Sequence, residues 1–573
     1  MTTPPTDTAP RLSDDRPIPP GRLLSATDIW PVVVIAAVYL CKVILVPPSG
    51  EFPFADEWDY VGTIRHLLNT GNLTLSDWPT MTLVAHLAWG LPFAWLFGPS
   101  YAVLRGSMLV MSCLGALGIY VWARDCGWNR GPALWLALAF ALCPPTVCYE
   151  YSFMTDMTGI TGMIWLAVLL RRWDARSTRA AALIGVFAGT AYLARQSALI
   201  PLMAWLPFAA LDVIRSRRRA KPLFVMLLIA VAMAVAHALW LRTINGLPYG
   251  DRLLSVDPPD FAKLADRVQA LILGAALYSA PVLLGLWSLA ERRFSWKAVV
   301  VFVGLVALTL ATFRTIPSTF IRDEFFDTGM GFSNHPEGLR GPTFQIAGHE
   351  ITAMRAVTTL IAAAAVWAAL VLIGQYRRGP AMNDSSDRRA TEGVLWPLTM
   401  LILTAVLPLA IPMFHGRYIW PVSVASLMLV AAAFPDRRWS TSAPKLGVAL
   451  TLLYGVISIV GIQDSFTRVR AVWAAAERLQ AEGVSPADIS GLFEFAGAYR
   501  YLPLHRGEKN QGPYFATLSD EERRRLFDFI FGDKPYVIKL HPTPGYRTVS
   551  QFRWRSWVRS GNVIVQTRDE PPR

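Results

Sequence analysis

Charge is scarce in this chain. Of its 573 residues, 17% are Asp, Glu, Lys or Arg and 53% are hydrophobic, whereas a soluble protein carries about 25% charged residues. The charges cluster in short Arg-rich stretches between long apolar runs, which is a membrane pattern. One run, 222–242, contains almost nothing polar. A helix of about twenty such residues rises about 30 Å, enough to cross the hydrocarbon core. Cysteine is scarce as well. Cys41, Cys113, Cys126, Cys143 and Cys148 lie in or beside apolar segments at no metal-type spacing. Nothing argues for a disulfide framework, and they read as small buried hydrophobes. There is no P-loop, dinucleotide fingerprint or Ser/His/Asp motif, so a soluble nucleotide donor is unsupported. No internal repeat is evident, so an inverted-repeat transporter gains no support.

What is present is a series of thirteen candidate spans: 28–46, 101–123, 131–148, 151–170, 180–195, 198–214, 222–243, 268–290, 297–313, 353–374, 394–413, 417–434 and 445–462. The stretch 79–97 is apolar but holds Pro79, Pro92 and His86. With 79–97 lying along the surface and the N-terminus in the cytoplasm, the inner loops hold 21 Lys/Arg in 64 residues and the outer loops 8 in 130. That difference, about fivefold, runs in the direction the positive-inside rule demands. The same rule explains the net charge of +13 without a nucleic-acid partner. The organisation expected is a disordered cytoplasmic segment 1–27 followed by an all-α transmembrane domain 28–462, with long outer loops 47–100 and 314–352. An extracytoplasmic α/β domain, 463–573, would follow. It has helix material at 479–486 and 519–530 and strands at 536–540 and 562–567. The whole is expected in the plasma (inner) membrane.

Three polar features fall on the expected outer side. The first is Phe54-Ala55-Asp56-Glu57-Trp58-Asp59-Tyr60. Paired carboxylates there suit a general base and a cation site, and equally a solvated turn that caps a helix. The second, Tyr149 to Asp156, is a very short loop that holds Asp156 near the membrane plane, where an ionisable group needs a partner or a function. Thr155 or Asp156 would also serve as an N-cap. The third is His415-Gly416-Arg417-Tyr418-Ile419-Trp420-Pro421, suited to hold a phosphate or to anchor at the interface. Arg195-Gln196 poses the same choice, because an arginine that deep is expensive unless paired.

These residues, in this order, resemble the GT-C superfamily of membrane glycosyltransferases. The pattern is the acidic pair, then Trp95-Leu96-Phe97-Gly98 and Arg105, Met154-Thr155-Asp156, Arg195-Gln196, and Arg417-Tyr418 with Pro421. Within the superfamily it is similar to the protein O-mannosyltransferases and the bacterial aminoarabinose transferase that modifies lipid A. The resemblance covers roughly 28–215, and 394–462 in outline. It implies about thirteen transmembrane helices with juxtamembrane helices in the first loop. It also implies a polyprenyl-phosphate sugar as donor, a lipid, glycan or protein acceptor, and inversion at the anomeric carbon. Asp56 would be the catalytic carboxylate, Glu57 its support, and Asp156 an acceptor- or metal-positioning group. Arg417 and Tyr418, with Arg195 and His415, would hold the donor phosphate. Glu57 and Asp156 are also the candidates to hold a divalent cation (Mg, Mn or Zn), and His86, on the juxtamembrane stretch, reads either as a further metal ligand or as a packed or capping histidine. One departure is Trp78-Pro79-Thr80-Met81, where some relatives carry an acidic-Lys-Pro run. Two other classes stand beside this reading. One is a lipid-linked saccharide flippase. The other is a surface-polysaccharide polymerase or ligase, for which loop 314–352 offers Arg314, Arg322, Arg340, His335 and His349.

Overall fold

The structure is a computed structural model. It describes residues 24–76, 78, 81–173, 177–215, 220–243, 261–289, 300, 304, 332–333, 344–345, 348–376, 386–410, 416–434, 443–491, 493–501, 521–522, 525, 532 and 534–568. The helices are α1 (Ile29–Leu45), α2 (Glu57–Thr70), α3 (Val84–Phe97), α4 (Tyr101–Asp125), α5 (Arg130–Ala141), α6 (Pro144–Glu150), α7 (Thr155–Arg172), α8 (Thr178–Ala194), α9 (Ile200–Arg215), α10 (Ala220–Thr243), α11 (Phe261–Leu289), α12 (Gly348–Tyr376), α13 (Ser386–Ala410), α14 (Ile419–Ala433), α15 (Lys445–Ala481) and α16 (Phe493–Ala496). Two short strands, β1 (Phe332–Ser333) and β2 (Phe344–Gln345), pair in parallel. Strands β3 (Ile489–Ser490), β4 (Tyr536–Lys539), β5 (Tyr546–Arg555) and β6 (Ser560–Arg568) form a sheet in the order β3-β4-β6-β5.

Among the described residues, seven helices are long and apolar enough to cross a membrane, or eight with α5 and α6 taken as one broken span. The chain is therefore a multipass membrane protein. Helices α3, α8 and α14 and the apolar part of α13 (393–409) are shorter, and span 297–313 lies outside the described residues save 300 and 304. The expected span 131–148 is not one straight helix. It bends by 62° between α5 and α6, because Pro144 and Pro145 lack the N–H groups that would continue the ladder. Pro144 instead opens α6 at its first position, where no N–H is needed. The span expected at 151–170 begins four residues late, since Met154 is extended and caps α7.

Buried ion pairs tie the first helices together. Asp28, at the foot of α1, accepts from Tyr120 at 2.6 Å and faces Arg124 and Arg130, each at 3.4 Å. Near the other end of α1, Lys42 meets Glu150 at 2.8 Å. Glu150 also accepts from Ser112 at 2.7 Å, and Lys42 donates to the Ala141 carbonyl at 2.7 Å. Each buried charge thus has a partner on another element, as a low-dielectric interior requires.

Helix α15 has 37 residues. Its apolar stretch ends near 462, but the helix continues through the segment expected as the start of a separate domain. The helix expected at 479–486 is the end of α15 followed by a short 3-10 turn, and 519–530 lies outside the described residues save three. The strands expected at 536–540 and 562–567 are β4 and β6. The longest strand, β5, joins them through the Ser556–Arg559 turn. That turn docks on α15: Asp464 accepts from Ser556 at 2.6 Å, Arg559 at 2.6 Å and Arg468 at 3.1 Å. Gln463 accepts the Trp557 amide at 3.1 Å. One turn on, Phe466 packs its ring against Phe52, Phe54 and Tyr151 at 5.4–5.8 Å. Helix α15 therefore braces the first loop on one side and the sheet on another.

Asp464→Ala leaves Arg468 buried without its carboxylate, which costs about 3–5 kcal/mol. Hydrogen exchange on the full-length protein is expected to rise in 546–568 and not in α4. An unchanged exchange pattern would refute the docking role of Asp464.

Candidate active site

The first loop is built around Glu57. Its carboxylate has no exposure and meets Arg105 of α4 at 2.6 Å. It also accepts the amides of Phe54 at 2.8 Å and Phe153 at 2.5 Å. Arg105 is equally enclosed. It donates to the Phe52 carbonyl at 2.5 Å, and its guanidinium lies over the rings of Phe52 at 4.6 Å and Phe466 at 5.1 Å. Burial raises the Glu57 carboxyl, while Arg105 and the two amides oppose it. With the cation in contact, the charged pair is the state that satisfies every group. Glu57 is thus committed to holding 52–57 against α4 and the start of α7.

Asp56 differs from its neighbour. It stands at the N-cap of α2 but makes no side-chain cap bond. One carboxylate oxygen accepts the indole N–H of Trp78 at 3.0 Å. The other faces the Arg417 guanidinium at 3.9 Å, with 19% of the Asp56 side chain and 11% of the Arg417 side chain exposed. Arg417 sits in a 3-10 turn, Gly416–Tyr418, that leads into α14. Three residues on, Trp420 stacks on Tyr149 at 5.4 Å, and the Arg417 guanidinium lies over the Tyr418 ring at 5.8 Å. His415 lies outside the described residues.

Tyr60, one turn into α2, is buried and donates to the Met81 sulfur at 3.4 Å. Burial raises its phenol well above the usual range, and the negative charges of Asp56, Asp59 and Asp156 act in the same sense, with Arg417 opposing them. Asp59 is buried and accepts from Ser76 at 2.7 Å.

Asp156 opens α7 and pairs with Arg195 at 3.0 Å, and Arg195 also donates to Thr155 at 3.0 Å. The arginine lies against Gly159, where a Cβ would meet its Cδ at 2.8 Å. Arg195 is thus engaged by the start of α7, through Asp156 and Thr155. The second carboxylate oxygen of Asp156 is buried and makes no hydrogen bond. His86 uses both ring nitrogens, toward Thr158 at 3.1 Å and the Phe153 carbonyl at 3.3 Å. Burial pushes its imidazole down to about 3, so it is neutral at neutral pH. Among the described residues no three His, Cys, Asp or Glu side chains form a metal-holding group. Glu57, Asp156 and His86 do not fit the cation expected of them, because Glu57 and His86 are already hydrogen-bonded to protein.

Against this geometry stand the comparisons with known proteins. No protein-family model matches the chain, and no curated protein matches it. Solved structures do. ArnT from Cupriavidus metallidurans bound to undecaprenyl phosphate is 15% identical over 96% of this chain and 100% of that one, with a TM-score of 0.40. The Pmt1-Pmt2 protein O-mannosyltransferase complex of S. cerevisiae bound to the sugar donor is 14% identical over 40% of this chain and 36% of that one, at 0.31. Arabinosyltransferase EmbB from Mycobacterium smegmatis is 14% identical over 81% of this chain and 43% of that one, at 0.33. All three are GT-C glycosyltransferases.

Several residues around Asp56 had no sequence signal. Trp78 registers in the sequence only as a departure from relatives, yet its indole holds Asp56. Arg105 stands in the motif order without a role. Glu494, which accepts the Ala55 amide at 3.1 Å, belongs to no motif.

Glu57→Gln is expected to lower stability by about 3–5 kcal/mol, since it strands a buried guanidinium. Thermal unfolding in detergent checks this. Asp56→Asn, which breaks no buried ion pair of comparable closeness, is expected to unfold like the wild type.

Proposed function

We propose that the protein is a glycosyltransferase that moves a sugar from a polyprenyl-phosphate donor to an acceptor hydroxyl, on the extracytoplasmic side of the membrane and with inversion. One observation carries the reading. Asp56 and Arg417 are brought within 3.9 Å with partial exposure, whereas Glu57, which neighbours Asp56 in sequence, has none. A carboxylate and a guanidinium side by side match the two charge changes of such a transfer.

The acceptor O–H attacks the anomeric carbon. The proton passes to Asp56, the new C–O bond forms, and the bond to the phosphate oxygen breaks, its electron pair leaving with the lipid phosphate. Help from a positioned base is worth about 10²–10⁴-fold. Arg417 offsets the charge that grows on the leaving phosphate, an electrostatic contribution that is largest in a water-poor site. A single displacement assisted by one base inverts the anomeric centre. The ion pair between them is long, so neither side chain is locked to the other before substrate arrives. A donor phosphate would draw Arg417 away and free Asp56 for the acceptor hydroxyl. Tyr418 lies beside the guanidinium and would line the phosphate side. Asp156, held by Arg195, would contribute negative charge at a fixed place toward the acceptor.

Two substitutions test this in full-length protein in nanodiscs with a labelled polyprenyl-phosphate sugar. Asp56→Asn is expected to cut kcat by about 10²–10⁴-fold. Arg417→Ala is expected to cut it by about 10²–10³-fold. Wild-type turnover by Asp56→Asn would sink the assignment. Mass spectrometry of lipids from cells lacking the protein is expected to show an accumulated polyprenyl-phosphate sugar. Movement of labelled lipid across liposomes with no covalent product would point to a flippase instead.

A further inference from the structure

Asp56 is preceded by a residue in an unfavourable backbone conformation. Ala55 has φ +55°, the left-handed region that costs an L-residue roughly 1–2 kcal/mol. Alanine has no side chain with which to hold itself there. Its N–H donates to Glu494, a buried residue 439 positions away, at 3.1 Å. The rest of the turn is held from nearer by: Glu57 of α2 accepts the Phe54 N–H at 2.8 Å, and the Phe54 carbonyl, the other end of the peptide unit that carries the Ala55 N–H, accepts from Ser152 at 3.1 Å. The N–H side of that unit is tied to the C-terminal segment. A carboxylate just before the first turn of α2 is also favoured by the positive end of that helix.

Three residues beyond Glu494 comes a second contact. Gly497 lies so close to Trp58 that a Cβ there would stand 2.4 Å from the indole. Trp58 packs against Trp78 with ring centroids 5.4 Å apart, and Trp78 donates to the Asp56 carboxylate at 3.0 Å. The segment 493–501 thus reaches Asp56 by two routes, through the peptide before it and through the indole that holds it. The segment is itself seated on α15, where Trp473 packs on Phe495 at 5.3 Å.

We infer that Glu494 is a positioning residue, through which the C-terminal segment holds the left-handed Ala55 peptide and so aims the Asp56 carboxylate. The inference rests on the proposed transferase reading for its kinetic consequence, but not for its structural one. Removing the acceptor lets the Ala55 peptide relax to negative φ and turns Asp56 away. A displacement of about 1 Å in a reacting group can cost 10²-fold.

The experiment uses the full-length protein in nanodiscs and reads hydrogen exchange at 52–60 together with kcat and donor KM. Glu494→Ala is expected to speed exchange at 52–60 and lower kcat by about 10²-fold, with donor KM unchanged. Glu494→Gln keeps a carbonyl acceptor and is expected to retain most of the rate and the protection. Adding Ala55→Gly to Glu494→Ala is expected to recover part of kcat, because glycine adopts positive φ without steric cost. Gly497→Ala is expected to reproduce the kcat loss by displacing Trp58. Wild-type exchange and kcat in Glu494→Ala would overturn the inference, as would a Gln variant no better than the Ala variant. Should Asp56→Asn prove active, the transferase reading fails, and exchange at 52–60 alone decides whether Glu494 holds the loop.

Discussion

Glu57 and Arg105 carry two full charges with no exposure to solvent, and the architecture of the first loop follows from that. A buried carboxylate must be met on its lone pairs, and here it is met by a guanidinium and two backbone amides, from 54 and 153. A buried guanidinium must likewise be enclosed, and the rings of Phe52 and Phe466 supply its faces. To satisfy both, the chain before α2, the helix α4, the loop before α7 and the extension of α15 must converge on one point. None of these elements can shift without stranding a charge. That rigidity lets Asp56, the next residue, stand partly exposed at a defined place.

The two adjacent carboxylates therefore divide their labour by burial. Glu57 points into the protein and is neutralised there. Asp56 instead accepts an indole N–H and faces the Arg417 guanidinium at 3.9 Å. Its surroundings are polar, and 19% of its side chain is exposed. Asp156 occupies an intermediate position. One oxygen is held by Arg195, and the other is buried without a hydrogen bond, so its charge is fixed in place.

Much of this was legible in the sequence, and the rest was not for identifiable reasons. Apolar runs mark α1, α4, α10 and α11, because hydrophobic length is a local property. The cost of a deep arginine marks Arg195 as needing a partner, and the structure pairs it with Asp156. Pro144-Pro145 breaks a span that composition alone shows as continuous. The full length of α15 was not legible for a different reason. Beyond 462 its buried residues include Asp464 and Arg468, whose burial depends on a turn 92–95 positions further on. Trp78 and Glu494 reach the site by contacts 22 and 439 positions apart in sequence, which no spacing rule detects. Spacing alone reads the acidic pair as a base and a cation site or as a helix cap, and only the resemblance separates the two residues; that Glu57 is buried against Arg105 is a fact of the tertiary structure.

The Lys42–Glu150 pair bears on how the protein enters the membrane. The two residues are 108 positions apart, so at ~5–20 residues per second Lys42 waits about 5–20 s for its counter-ion during synthesis. It lies in the last turn of α1, near enough to the helix end for its long side chain to reach the headgroups in the meantime. Only once Glu150 has been made, at the end of α6, can the buried pair that joins α1 to α6 form, with Ser112 of α4 donating to the same carboxylate. The order of the chain thus places the burial of Lys42 after the synthesis of α6.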